Sequence, residues 1–225
     1  MAGKILTIAQ QKGGVGKTTL AIHLSVAWLV AGRRVALLDI DPQASLSMWH
    51  QLRRAQLGAV GAEPYLSTLA GWRVANEAER LARDYDVVLI DSPPHAETEA
   101  RLAVRAAARV VIPVQPSILD LWATRATLEL AKAEGTPAMI VLNRVPPRSS
   151  AGDDVAAEAH KLGVPVATAS IGNRVALSAA VQSGYGISEW DRTSQAGQEI
   201  AALADELLAP LPSGEGGTQR AAMGG

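Results

Sequence analysis

The chain has 225 residues, 48% of them hydrophobic, and 21 Lys plus Arg stand against 22 Asp plus Glu for a formal net charge of -1. That length suits one domain with a sizeable core, and the balanced charge excludes a protein that coats nucleic acid over its whole surface, so any such contact must come from a local patch. Zero cysteines exclude a disulfide framework, thiolate zinc sites and a cysteine-held iron–sulfur cluster, and no segment reaches the roughly 18 apolar residues of a membrane span; the expectation is a soluble, cytoplasmic protein.

Short apolar runs at residues 5–9, 35–39, 87–91, 110–114, 138–143 and 164–167 read as strands. Runs such as VVLID lack polar alternation, as expected of parallel strands covered by helices on both faces. Between and after them, residues 17–31, 76–85, 97–108, 119–133, 154–162, 176–183 and 196–208 carry helical periodicity. This order predicts an α/β fold: a doubly wound, mostly parallel sheet with ligands at the carboxyl ends of its strands. Residues 1–208 read as one domain and 209–225 as a small, Gly-rich, flexible tail, while the 58–72 stretch is irregular and receives no assignment.

The first strand runs into Lys12-Gly13-Gly14-Val15-Gly16-Lys17-Thr18-Thr19, which then opens the first helix. Glycines let successive N–H groups face inward, and the helix adds its positive end, which makes a concave anion site. Lys17 supplies charge to the β- and γ-phosphates and the Thr18 hydroxyl can ligate Mg2+. The ordinary G-x-x-x-x-G-K-[ST] pattern fails because Gln11 stands where glycine is needed; K-G-G-x-G-K-[ST] is matched instead. Lys12, taken alone, reads equally as a solvated loop lysine.

Asp39 and Asp41 close the second strand in LLDIDPQAS, and Asp91 ends the third in VVLIDSPP. A carboxylate at the end of an apolar strand is costly unless a metal, a hydrogen bond or solvent meets it. Mg2+ coordination answers that for Asp91, with helix capping the plainer alternative for all three. Pro42, Pro93 and Pro94 suit loops that move between defined conformations, and read equally as passive turn residues.

The phosphate-loop variant resembles the deviant Walker A of the ParA/MinD superfamily, and PVQPSILDLWAT, VLNRV and IGNRVALSAAVQSGYGISEW are similar to segments of small, ParF-like partition proteins. The resemblance runs from about Lys4 to Leu208. It implies an ATPase with ATP and Mg2+ as its ligands, working as an ATP-dependent homodimer in which Lys12 reaches the partner's phosphates. Carried over on it are Asp41 orienting the attacking water, Asp39 beside Thr18 and Asp91 at the metal, Gly13 to Thr19 around the phosphates, and Asn143 at the adenine, where a strand-end Asn that simply satisfies a turn is the alternative. Asp120 falls in a segment that contributes to the dimer interface of relatives, or serves as an ordinary helix N-terminal aspartate.

The resemblance further implies salt-sensitive, non-specific DNA binding in the ATP state, hence nucleoid association, and an adaptor protein that stimulates hydrolysis. Arg174 is the first candidate for DNA contact, with Arg144, Arg148, Lys161 and Arg192 beside it. No membrane partner is expected, because MinD relatives end in a basic amphipathic helix whereas the tail here has Arg220 as its only basic residue. A MinD-like membrane switch and a small-molecule ligase on the same fold are the alternatives. Trp28 and Trp122 read as core, and Trp49 as packing against the switch region; the four histidines show no metal-ligand spacing.

Overall fold

The computed structural model describes residues 2–58, 63–94, 97–147 and 150–210. Strands β1 (Lys4–Ile8), β2 (Val35–Asp39), β3 (Tyr65–Thr68), β4 (Val87–Asp91), β5 (Arg109–Val114) and β6 (Ala138–Leu142) form one sheet in the order β3-β2-β4-β1-β5-β6. Every neighbouring pair is parallel. The helices are α1 (Lys17–Val30), α2 (Ser45–Leu57), α3 (Val74–Leu81), α4 (Glu97–Ala106), α5 (Ile118–Trp122), α6 (Arg125–Ala133), α7 (Ala151–Lys161), α8 (Val175–Gln182), α9 (Ile187–Trp190) and α10 (Gln195–Leu208).

Successive strand residues point to opposite faces, and both faces are covered. Leu37, Leu89 and Val111 pack with Trp28, Ile187 and Ile200 beneath α1, α9 and α10. On the other face Leu38 and Ile90 meet Val74 and Ala103 of α3 and α4, and Ile112 and Ile140 meet Leu121, Ala131 and Val155 of α5, α6 and α7. The doubly wound α/β architecture is as expected. Two cations fasten α10 beneath the sheet: Lys4 Nζ donates to the carbonyls of Leu207, Leu208 and Ala209, and Arg109 to those of Glu206, Leu207 and Ala209. Such donors satisfy and neutralise the negative end of a helix.

Three local expectations need correction, and elements appear that were not expected. Residues 164–167 contribute only an isolated bridge between Val166 and Ile140, because Pro165 offers its carbonyl to Ile140 but has no N–H to continue the ladder. The sixth strand is instead β3, inside the unassigned stretch. A second omission is α2, which begins directly after DPQAS. The predicted 119–133 helix is broken between α5 and α6, where the Thr124 hydroxyl bonds the Leu121 carbonyl. Trp122, on the short α5, is 53% exposed and not core, whereas Trp28 is buried. Of the predicted tail only Ala209 and Pro210 fall within the described residues.

Candidate functional site

Register places the site. Asp39 and Ile8 both pair with Asp91, so two carboxylates and the start of the glycine loop share one level at the carboxyl edge of the sheet. β1 is also where the chain's windings diverge, with β4 and β2 on one side and β5 and β6 on the other, the crevice in which open α/β sheets bind ligands.

The loop is shaped by its glycines. Gly14 (φ 75) and Gly16 (φ 92) occupy the left-handed region, which glycine enters without steric penalty. A Cβ on Gly16 would also stand 2.8 Å from Asn143 Nδ2. Lys17 is buried and donates to the Gln10 carbonyl at 3.1 Å. Burial lowers its pKa, against the raising influence of Asp91 and Asp41. The Thr18 hydroxyl donates to Asp91 Oδ2 at 2.7 Å, while Asp91 Oδ1 is buried without a partner among the described residues. Desolvation pushes the Asp91 carboxyl up to about 7, opposed by the Thr18 hydrogen bond and aided by Asp39. A hydroxyl and a half-satisfied buried carboxylate side by side are a hard, oxygen-donor set suited to Mg2+.

Asp39 is engaged differently from that expectation. Its Oδ2 accepts from the Ser47 amide at 3.0 Å and the Ser47 hydroxyl at 2.6 Å, and its Oδ1 from the Asp41 amide at 3.2 Å. Ser47 continues to Thr68 of β3 at 2.9 Å. Asp39 therefore fixes the 39–47 turn and the first turn of α2. Asp41 is half-buried; its Oδ1 accepts from the Gln43 amide at 2.9 Å.

These groups surround an open cavity of about 360 Å³, whose wall includes Gly13 to Thr19 of the loop, Asp41, Trp49, Pro94 and Arg144. A recess of about 100 Å³ adjoins it, lined by Gly16, Thr19, His23, Asn143, Arg144 and Leu177 among others. A larger cavity of about 580 Å³ between α6 and the turn after α7 shares no residue with either. Lys12 lies at the surface in an ion pair with Asp120. Val15 is buried, and its carbonyl accepts from Asn143 Nδ2 at 2.8 Å; the expected adenine contact is thus an amide already stapling the end of β6 to the loop.

The expected DNA residues are scattered in circumstance. Arg174 is bidentate to Glu199 at 2.5 and 3.0 Å, and Lys161 pairs with Glu158 at 2.8 Å. Arg144 belongs to the cavity walls just described. Arg192 is exposed and has no ion pair among the described residues; Arg148 lies outside them.

One group escaped the sequence reading altogether. Arg53 of α2 is 1% exposed, bidentate to Glu189 of α9 at 2.7 Å on each side, bonded to the Gly184 carbonyl, with its guanidinium 5.6 Å from the ring centre of Trp49. It ties the helix behind Asp41 to α9. Its only sequence signal, four residues after Trp49 on a helix, required α2 to be recognised first.

The CobQ/CobB/MinD/ParA nucleotide binding domain family matches residues 6–187. "Maintenance of carboxysome distribution protein A" of Gloeobacter kilaueensis is 34% identical over 210 residues, covering 91% of this chain and 94% of that protein. "Chromosome-partitioning ATPase Soj" of Thermus thermophilus is 31% identical over 237 residues, covering 91% and 95%. Among solved structures, the septum site-determining protein MinD of Pyrococcus horikoshii, complexed with Mg-ADP, superposes with a TM-score of 0.76 at 23% identity over 91% of this chain and 96% of that one. The family match spans the elements that carry the glycine loop and its carboxylates, and the chain belongs to the ParA/MinD superfamily of P-loop ATPases.

Proposed function

We propose that this protein is a ParA-type switch that binds MgATP in the 360 Å³ cavity, closes into a sandwich homodimer, and in that state binds DNA without sequence preference to position or partition a large cargo. The observation that carries this reading is the placement of Lys12. Its side chain is 43% exposed beside Asp120 on a helix that leaves Leu119 65% and Trp122 53% exposed. A second lysine and an unburied apolar face together suit a second copy of the chain, whose phosphates that cation would meet. Hydrolysis is then slow in the monomer and coupled to pairing, as with a cation supplied in trans.

Within one subunit, Lys17 and the inward amides of Gly13 to Thr19 hold the phosphates, and Asp41 at the open side orients the attacking water. Thr18 and Asp91 would hold Mg2+, which, when bound, offsets charge on the β- and γ-phosphates. Asp39 is a positioning residue that keeps Asp41 in place through its amide. An adaptor that stimulates hydrolysis, a cytoplasmic location and nucleoid association in the ATP state complete the reading.

The test is DNA binding and sedimentation with no nucleotide, ADP, ATP and a non-hydrolysable ATP analogue, at two salt concentrations. Dimers and salt-sensitive DNA binding are expected only with ATP or the analogue. DNA affinity independent of nucleotide would overturn the switch. Nucleotide binding without DNA binding would instead redirect attention to a membrane surface or a small-molecule phosphoryl acceptor.

A further inference from the structure

Arg144 follows directly on Asn143 at the end of β6. It is one of two non-glycine residues with positive φ among those described (56°); the other, Ala44 (52°), opens α2 beyond Asp41. An L side chain takes this conformation only where its surroundings impose it. Here the cause is Asn143, whose Oδ1 accepts the Arg144 amide at 3.0 Å while its Nδ2 holds the Val15 carbonyl at 2.8 Å. The same amide thus fixes the glycine loop and turns Arg144 over it. A Cβ placed on Gly16 would lie 4.0 Å from Arg144 Nε.

The consequence is a gate. The cavity holding Lys17 and Asp41 and the recess holding His23 and Asn143 have three wall residues in common: Gly16, Thr19 and Arg144. A nucleotide whose β- and γ-phosphates lie at Lys17 and whose base extends toward the recess must pass its α-phosphate and ribose between the Gly16–Thr19 backbone and the Arg144 side chain. The neighbouring Arg174 is neutralised by Glu199, but the Arg144 guanidinium meets no carboxylate among the described residues. An unpaired planar guanidinium facing a phosphate path matches two phosphate oxygens at once.

Resting on the nucleotide reading of this site, we propose that Arg144 is a nucleotide-binding residue that grips the α-phosphate at its junction with the ribose, and does not belong to the DNA-binding surface. Because ATP and ADP share that phosphate, the contact strengthens both equally. Its loss therefore raises KM and leaves kcat in place, the signature of uniform binding.

Calorimetric titration with ADP and with a non-hydrolysable ATP analogue tests this on Arg144→Gln, Arg144→Lys and Arg144→Gly. Both Kd values should rise roughly tenfold or more in Arg144→Gln, by similar factors, as expected for one charge-assisted pair. Arg144→Lys should recover part of the loss. Arg144→Gly, which keeps the backbone conformation, should bind as weakly as Arg144→Gln while melting no lower than the parent. Unchanged Kd values in Arg144→Gln, or a loss confined to the triphosphate, would overturn the proposal. So would reduced DNA binding at saturating nucleotide with Kd unaltered. Lys17→Ala separates the two levels: the parent binding and Lys17→Ala failing to bind upholds the nucleotide site whatever Arg144 does, and a parent that binds neither nucleotide overturns both.

Discussion

Lys12 and Asp120 form an ion pair that joins the first residue of the glycine-loop motif to α5. Asp120 is nearly buried, its side chain 9% exposed, whereas Lys12 remains 43% exposed. Lys12→Gln is expected to lower turnover by about a hundredfold or more, the usual loss when a transition-state cation is removed, while ATP still binds. Phosphate release and equilibrium binding measure the two effects. Action in trans has its own check: inactive Lys12→Gln and Lys17→Ala subunits, mixed, should regain turnover, because a mixed dimer rebuilds one site with both lysines. Failure of that mixture, or near-parental rates in Lys12→Gln alone, would remove the sandwich mechanism.

Asp91 holds a charge at a cost that a cation would repay. Its carboxyl is carried from the ordinary 3.8 up to about 7 by burial, so the folded state retains a proton that the unfolded chain gives up. The raised value means that stability from this group is complete below about pH 4 and is lost as pH rises toward and through 7. Asp91→Asn should therefore stabilise the ligand-free protein at pH 8, by up to roughly 4 kcal/mol, and by less than half as much at pH 5. The same variant should lose Mg2+-dependent stabilisation and ATPase turnover. Urea unfolding with and without Mg2+ reads all of this; an Asp91→Asn protein less stable than the parent at pH 8 would contradict the burial argument.

What the sequence made legible was whatever is contiguous or strand-terminal. Lys12 to Thr19 is a single run whose geometry follows from its glycines, and Asp91 is found by counting along a five-residue apolar strand. Pairings distant along the chain were not readable: Arg53 with Glu189, Arg174 with Glu199 and Lys12 with Asp120 are each contacts between separate elements. β3 escaped because it is a four-residue edge strand, half exposed, with too little apolar content to set a period. Trp122 shares its helix face with Arg125 and Glu129, opposite the buried Thr124, Thr127 and Ala131, so apolar neighbours in the chain do not make it core. Asp39 could be located but not interpreted, since its partner Ser47 sits on a helix that the pattern did not reveal.

His23, on α1, predicts a distinct acid sensitivity. Nδ1 accepts the Ile187 amide at 3.1 Å, and burial drives the imidazole pKa down to about 4 from 6.5. A depressed value means that stability is fully present above about pH 6.5 and falls away as pH drops toward 4, since only the unfolded chain takes up the proton. At pH 5 this one group should cost roughly 2 kcal/mol relative to pH 7.5. His23→Asn keeps an acceptor for Ile187 but does not titrate, so its loss of stability between pH 7.5 and 5 should be smaller than the parent's by about that amount. Equal losses in chemical denaturation would show that His23 is not the buried neutral group described.

The DNA surface, if the proposed switch is correct, must be built from cations that are not already neutralised inside the subunit. Arg192, between α9 and α10, meets that condition, whereas Lys161 is spent on Glu158 and Arg174 on Glu199. A phosphate contact lowers the slope of log affinity against log salt by about one when it is removed, so a dimer carrying Arg192→Ala should lose up to about two units of slope along with affinity. Lys161→Ala should change neither by much. Glu199→Gln should do the opposite of Arg192→Ala, because it frees Arg174 at the surface, and so should strengthen ATP-state binding most at low salt. Fluorescence anisotropy on a short duplex, titrated with salt in the presence of a non-hydrolysable ATP analogue, reads the three variants together. If Lys161→Ala proved the weakest and Arg192→Ala were silent, the binding face would lie on α7, and dimerisation would have to release Lys161 from Glu158 before DNA could be held.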